Sequence, residues 1–142
     1  MPTKTLIPVD LSQQEAAQAA LAQARKLDAN ADMTLLHVIP RIPEYYATNI
    51  PEEVFQNHRD NAEKELRAFA QKQGVPDTAK IALRGGSAGR EILNYAEENK
   101  ADLIVIASHD PGWGDFLLGS VAAFVVRHAH CSVLIVRKPD GQ

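Results

Sequence analysis

Four short runs in this chain are apolar almost without interruption: Thr5 to Val9, Met33 to Ile39, Leu103 to Ala107 and Ser132 to Val136, with a weaker fifth at Lys80 to Leu83. Their length and β-branched content mark them as strands. A strand with one wet face alternates apolar with polar residues, whereas a strand covered on both faces is free of that alternation. The runs therefore predict a parallel sheet with helices packed above and below it.

The stretches between the runs carry helical spacing. Gln13 to Leu27 repeats Ala17, Ala20, Leu21, Ala24 and Leu27 at three- and four-residue steps, with Ser12 placed to cap it. Glu52 to Lys72 sets Val54, Phe55, Ala62, Leu66 and Phe69 against charged positions expected to face water, and Gly74 is placed as its stop. Ala88 to Asn99 carries Ile92, Leu93 and Ala96 on one face, and Ser120 to His128 carries Val121, Phe124 and Val125. The order is βαβαβαβαβ, which predicts an α/β chain: a three-layer, doubly wound, five-stranded parallel sheet with right-handed crossovers and strand order 3-2-1-4-5. At 142 residues, one domain over 1–142 is expected.

Composition narrows the function classes. Hydrophobic residues at 45% and charged residues at 23% are near globular averages, so a disordered chain is not expected. The net charge is −3 and Lys and Arg form no long run, so the footprint of a nucleic-acid binder is missing. No stretch approaches the roughly 20 apolar residues of a membrane helix, so no membrane association is expected. The start MPTKTLIPVDLS lacks the apolar core of a secretory signal, and the single cysteine, Cys131, has no partner for an internal disulfide. A cytoplasmic location is the expectation.

Open parallel sheets bind ligands outside the carboxyl ends of their strands, where the winding reverses. The loop after Val9 should meet the loop after Ile106 there. The first reads Pro8, Val9, Asp10, Leu11, Ser12. Asp10 has two readings, a turn or cap residue, or a carboxylate that accepts from a ribose or adenine edge or helps to hold Mg²⁺. The second runs from Ala107, Ser108, His109 and Asp110 through Pro111, Gly112, Trp113 and Gly114 to Gly119 and Ser120 at a helix start. Unpaired amides at such a start suit an anion, and a triphosphate fits; a plain turn with an N-cap is the commoner meaning of an isolated Gly-Ser pair. The spacing alone does not choose.

The stretch LIVIASHDPGWGDFLLGSVAAFVVRHAHCSVLIVR, Leu103 to Arg137, resembles the carboxyl-terminal third of universal stress proteins, whose signature there is Gly, two residues, Gly, nine residues, Gly, then Ser or Thr. LIPVDLS and LLHVIP match that family at its other characteristic positions. The resemblance implies an adenine nucleotide alpha hydrolase-like fold and, position by position, a nucleotide site. Pro8, Val9 and Asp10 would lie against adenine and ribose, Val38 would touch adenine, Ile106, Ala107, Ser108 and His109 would lead into the glycine loop, and Gly119, Ser120 and Val121 would form the phosphate turn. It also implies ATP, or ADP or AMP, with Mg²⁺ on the nucleotide, a homodimer through the last strand, and a regulatory protein as a further partner. The sequence departs from the signature: Ala107 and Asp110 replace its first two glycines, and the interval to Gly119 is one residue short. Asp110 would repel phosphate unless it points away or meets a cation, while Gly112 and Gly114 restore backbone freedom slightly later. A nucleotide-free interaction dimer is therefore the alternative to an ATP-binding sensor.

Other clusters carry less. Ser108, His109 and Asp110 spell a hydrolase triad, but three consecutive residues cannot supply its geometry. His128, His130 and Cys131 are metal-ligand types with no evident fourth ligand, and no metal site is assigned to them. Gly85, Gly86, Ser87 and Gly89 read as a glycine-rich turn with a Ser87 cap, and Arg84 and Arg90 as solvated. Trp113 would cover the nucleotide or a partner, or anchor its own loop. The segment Pro40 to Pro51 reads as a long loop that folds over a ligand or is a surface excursion. With no Walker lysine, water-activating base or arginine finger in the sequence, no catalytic residue is assigned and any ATP hydrolysis should be slow.

Overall fold

The computed structural model describes residues 3–41, 48–108 and 119–137. Five strands, β1 (Lys4–Pro8), β2 (Asp32–Pro40), β3 (Lys80–Gly86), β4 (Leu103–Ser108) and β5 (Ser132–Arg137), form one sheet of order β3-β2-β1-β4-β5. Every neighbouring pair is parallel. Four helices connect them, α1 (Gln14–Leu27), α2 (Glu52–Lys72), α3 (Ala88–Glu98) and α4 (Ser120–His128), with a 3-10 turn at Leu11–Gln13 before α1. This is the expected doubly wound sheet.

The strands are buried on both faces because successive side chains point to opposite sides. Ile7, Leu35 and Val105 pack with Leu21 of α1 and Leu66 and Phe69 of α2. Their neighbours Leu6, Leu36, Ile104 and Ile106 point the other way and pack with Ile92 of α3 and Ala122 and Val125 of α4. A polar residue in mid-strand would reach one core or the other, which is why the runs are almost uniformly apolar.

Several local readings change. Asp10, not Ser12, accepts the capping bond at the 3-10 turn, and Gln13 ahead of α1 makes no side-chain cap. A tight turn satisfies the first amides, so α1 starts one residue later than its apolar spacing suggests. Gly74 does end α2: it adopts φ +68, and the Val75 amide turns back to the Ala70 carbonyl at 3.0 Å. Gly85 and Gly86 are not a loop but the last rungs of β3, paired with Ile39 and Pro40. The Ser87 side chain makes no cap. Gly89 lies inside α3, where a Cβ would come within 2.6 Å of the Phe124 ring of α4. Arg84 is half-buried, paired with Glu98 at 2.7 Å and set over the Tyr95 ring, so it is not simply solvated, whereas Arg90 is exposed as expected, with its guanidinium 5.7 Å from the centre of the Phe124 ring.

Candidate functional site

The winding reverses between β1 and β4, which lie side by side at the middle of the sheet. One crossover leaves toward β2 and the other toward β5, so the loops beyond Pro8 and Ser108 diverge and leave a crevice. There the surface opens into a cleft of about 730 Å³. Pro8, Val9, Asp10, Val38, Ile106, Ala107, Gly119, Ser120 and Val121 all line it, so residues from four separate parts of the sequence meet in one place.

The β1 wall is held by side chains as well as by the ladder. Although β1 ends at Pro8, the next residue, Val9, is 2% exposed and donates its amide to the Leu36 carbonyl at 2.7 Å. The Val9 carbonyl meets His37 Nδ1 at 2.9 Å. A carbonyl only accepts, so Nδ1 carries the proton and, in the neutral ring, Nε2 is left as an acceptor. Asp10 follows in an extended conformation, φ −90 and ψ 109. Its Oδ1 accepts from the Ser12 amide at 2.9 Å and from the Ser12 hydroxyl at 2.6 Å. Both readings of Asp10 therefore coexist: one carboxylate oxygen caps the turn while the residue also lines the cleft.

The opposite wall is the start of α4. Gly119 occupies the N-cap position and no side chain caps this helix. The amides of Ser120, Val121 and Ala122 therefore lack intrahelical acceptors, and the helix dipole adds partial positive charge at the same spot. Gly119 itself has φ −60 and ψ 155, a conformation open to any residue. Its value here is a bare backbone beside the cleft. The Gly119 amide donates to Ser108 Oγ at 3.1 Å, which ties the end of β4 to the start of α4. Ser108 thus holds the wall in place. His109, Asp110, Pro111, Gly112, Trp113 and Gly114 lie outside the described residues, as do Tyr45 and Tyr46 of the long loop.

Sequence reasoning missed part of the lining. His58, Asn61 and Glu65 of α2 border the cleft together with His37; all three are exposed, as the solvated face of α2 was expected to be, and the cleft opens beside them. Their spacing of three and four residues puts them on one helical stripe beside the buried Ala62 and Leu66. That stripe is visible in the sequence, but which polar stripe borders a crevice depends on how α2 lies on the sheet. Among the described residues no group of three His, Cys, Asp or Glu is arranged to hold a metal ion. The His128 ring is instead packed on Phe124, with centroids 4.5 Å apart.

The family model described as the universal stress protein family matches residues 1–137. Universal stress protein G of Escherichia coli O157:H7 is 35% identical over 140 residues, covering 94% of this chain and 99% of its own. The solved universal stress protein UspA from Lactobacillus plantarum is 26% identical with a TM-score of 0.72, covering 95% of this chain and 97% of its own. A universal stress protein family protein from Arabidopsis thaliana, solved with AMP bound, superposes with a TM-score of 0.65 at 20% identity, covering 98% of this chain and 94% of its own.

Proposed function

Because this chain belongs to the universal stress protein family, we propose that it is an ATP-binding member of that family, a homodimeric cytoplasmic sensor or regulator in the stress response. The single observation that carries the reading is the cleft itself, in which the uncapped amides of α4 and the Asp10 turn form two walls of one 730 Å³ space. Apolar surface from Pro8, Val9, Val38 and Ile106 suits an adenine ring. Asp10 suits ribose hydroxyls, which donate to a carboxylate. Gly119, Ser120 and Val121 suit the phosphate tail, since they combine open amides, a hydroxyl and the positive end of a helix. Ala107, Ser108 and His109 would run between these two subsites. The AMP held by the Arabidopsis thaliana relative belongs to the same ligand class.

Mg²⁺ would enter with the phosphates, which together with water supply most of its oxygen ligands, and one or two carboxylates complete such a shell. Asp10 and Glu65 are the carboxylates lining the cleft among the described residues, and carboxylate oxygen is the donor type a hard cation takes. When bound, the ion neutralises phosphate charge. No Lys or Arg lines the cleft among the described residues. Charge that develops during phosphoryl transfer would therefore meet no Lys or Arg among the described residues, and turnover would be slow at most. The protein is read as a binding module. Its second copy would pair along β5, which stands at one end of the sheet and, among the described residues, pairs with β4 alone in the ladder. Nucleotide occupancy at the neighbouring β4–α4 connection would then alter that dimer or its contact with a regulatory protein.

The test begins with the freshly purified protein, denatured and chromatographed for released nucleotide, followed by titration with ATP and Mg²⁺. An adenine nucleotide should be released or should bind on titration, and Asp10→Ala and Gly119→Val should each weaken binding by about tenfold or more, or about 1.4 kcal/mol. Unchanged affinity in both variants would remove the nucleotide from this cleft.

A further inference from the structure

The ladder between β1 and β2 ends at the Pro8 and Leu36 pair, yet the chain stays fixed for one residue more. What fixes it is a side chain. His37 sits next to Leu36 near the end of β2, and its Nδ1–H reaches the Val9 carbonyl at 2.9 Å, 28 positions away in sequence. Among the described residues this is the one donor that meets that carbonyl. Because the Val9 amide is also bonded, to Leu36 at 2.7 Å, the backbone of Val9 is held at both ends by β2. The next Cα belongs to Asp10, a residue that lines the cleft. A residue whose amide and carbonyl are both anchored has little freedom left in φ and ψ, so the anchor sets the direction in which Asp10 leaves the sheet.

We propose that His37 is a positioning residue of the nucleotide cleft, acting through the Val9 carbonyl to hold Asp10 where it meets the ligand. This rests on the nucleotide reading above and adds a residue to it. Asparagine bears its amide nitrogen directly on Cγ, as the imidazole bears Nδ1, so His37→Asn retains a donor to Val9. His37→Leu fills similar space and offers none.

Two measurements separate this inference from the nucleotide reading. In the nucleotide-free protein, amide exchange followed by NMR should show Ser12, which donates to Asp10 Oδ1, exchanging about tenfold faster in His37→Leu and returning to within about threefold of the parent in His37→Asn. In ATP titrations with Mg²⁺, His37→Leu should weaken affinity about tenfold and His37→Asn no more than about threefold, a loss of about 1.4 kcal/mol against less than half of that. In an Asp10→Ala background, His37→Leu should cost no further affinity, because the carboxylate it positions is gone. A merely structural His37 would weaken both backgrounds equally, and that result overturns the inference while leaving nucleotide binding intact. If no variant or parent binds ATP but the exchange pattern holds, the nucleotide reading fails and the anchoring of the turn stands. Unchanged Ser12 exchange in His37→Leu overturns the anchoring itself.

Discussion

Ser108 and Cys131 show how differently two small side chains near strand ends can be employed. Ser108 Oγ accepts the Gly119 amide at 3.1 Å, so Ser108→Ala leaves a half-buried N–H without its partner. The expected loss is about 1 kcal/mol of stability, read by urea unfolding of the nucleotide-free protein, while an unchanged midpoint would show that the contact contributes nothing. Cys131 stands just before β5 and is partly buried. Burial pushes its thiol up, a backbone hydrogen bond opposes this, and nearby Asp102 adds a smaller upward push. The folded state thus holds the thiol proton more tightly than the unfolded state does. Its contribution to stability is full below the ordinary thiol range and is lost as pH rises through the raised folded value. Alkylation should accordingly be slower than for a free thiol at neutral pH, with its rise displaced to higher pH; a rate matching an unperturbed thiol would contradict this. At this scale the sequence was only partly legible. It singled out Asp10 and Ser12 as capping types, but either can accept, and the direction of the bond is settled by the backbone of the turn. The sequence also named Ser108, yet its bond to Gly119 closes an 11-residue separation that no local pattern reveals.

Elements were far easier to read, because their signal is periodic and repeated. Each strand lies within three residues of its apolar run at both ends, and α2 and α4 have the bounds their spacing predicts. The misreadings occurred where one element leans on another. Gly89 looked like part of a loop, whereas it is a helical position left without a side chain so that α3 can approach α4 across the Phe124 ring. Gly89→Ala gains about 1 kcal/mol of helix propensity but forces a ring already 2.6 Å from the new Cβ to move. Overpacking of that kind costs about 1–3 kcal/mol, so net destabilisation is expected in denaturant unfolding, relieved when Phe124→Leu is combined with it. Stabilisation by the single substitution would mean that the two helices separate easily. The polar stripe of α2 has the same lesson. His58, Asn61 and Glu65 form the solvated face that their charge predicts, and only the way α2 lies on the sheet makes that face border the cleft as well.

For the whole molecule, the decisive step is that two cores share one sheet. Leu6 and Ile7 are adjacent in sequence but belong to opposite cores, and the same alternation recurs at Leu35 and Leu36 and at Ile104 and Val105. Apolar side chains demanded on both faces make the parallel sheet legible from the sequence, and reversal of winding at β1 then places a crevice beside Asp10 and Gly119. The fold could be read that far, whereas the α2 wall and the His37 anchor needed three dimensions. The central claim is that the crevice holds an adenine nucleotide by its uncapped α4 amides and the Asp10 turn. Its most direct test is thermal unfolding followed as ATP is raised in the presence of Mg²⁺. Occupancy at about 100 times the dissociation constant should add roughly 2.7 kcal/mol to the stability of the folded state, with a melting temperature that climbs steadily with nucleotide concentration. A melting temperature that stays fixed into the millimolar range, in protein that also releases no nucleotide on denaturation, would contradict it.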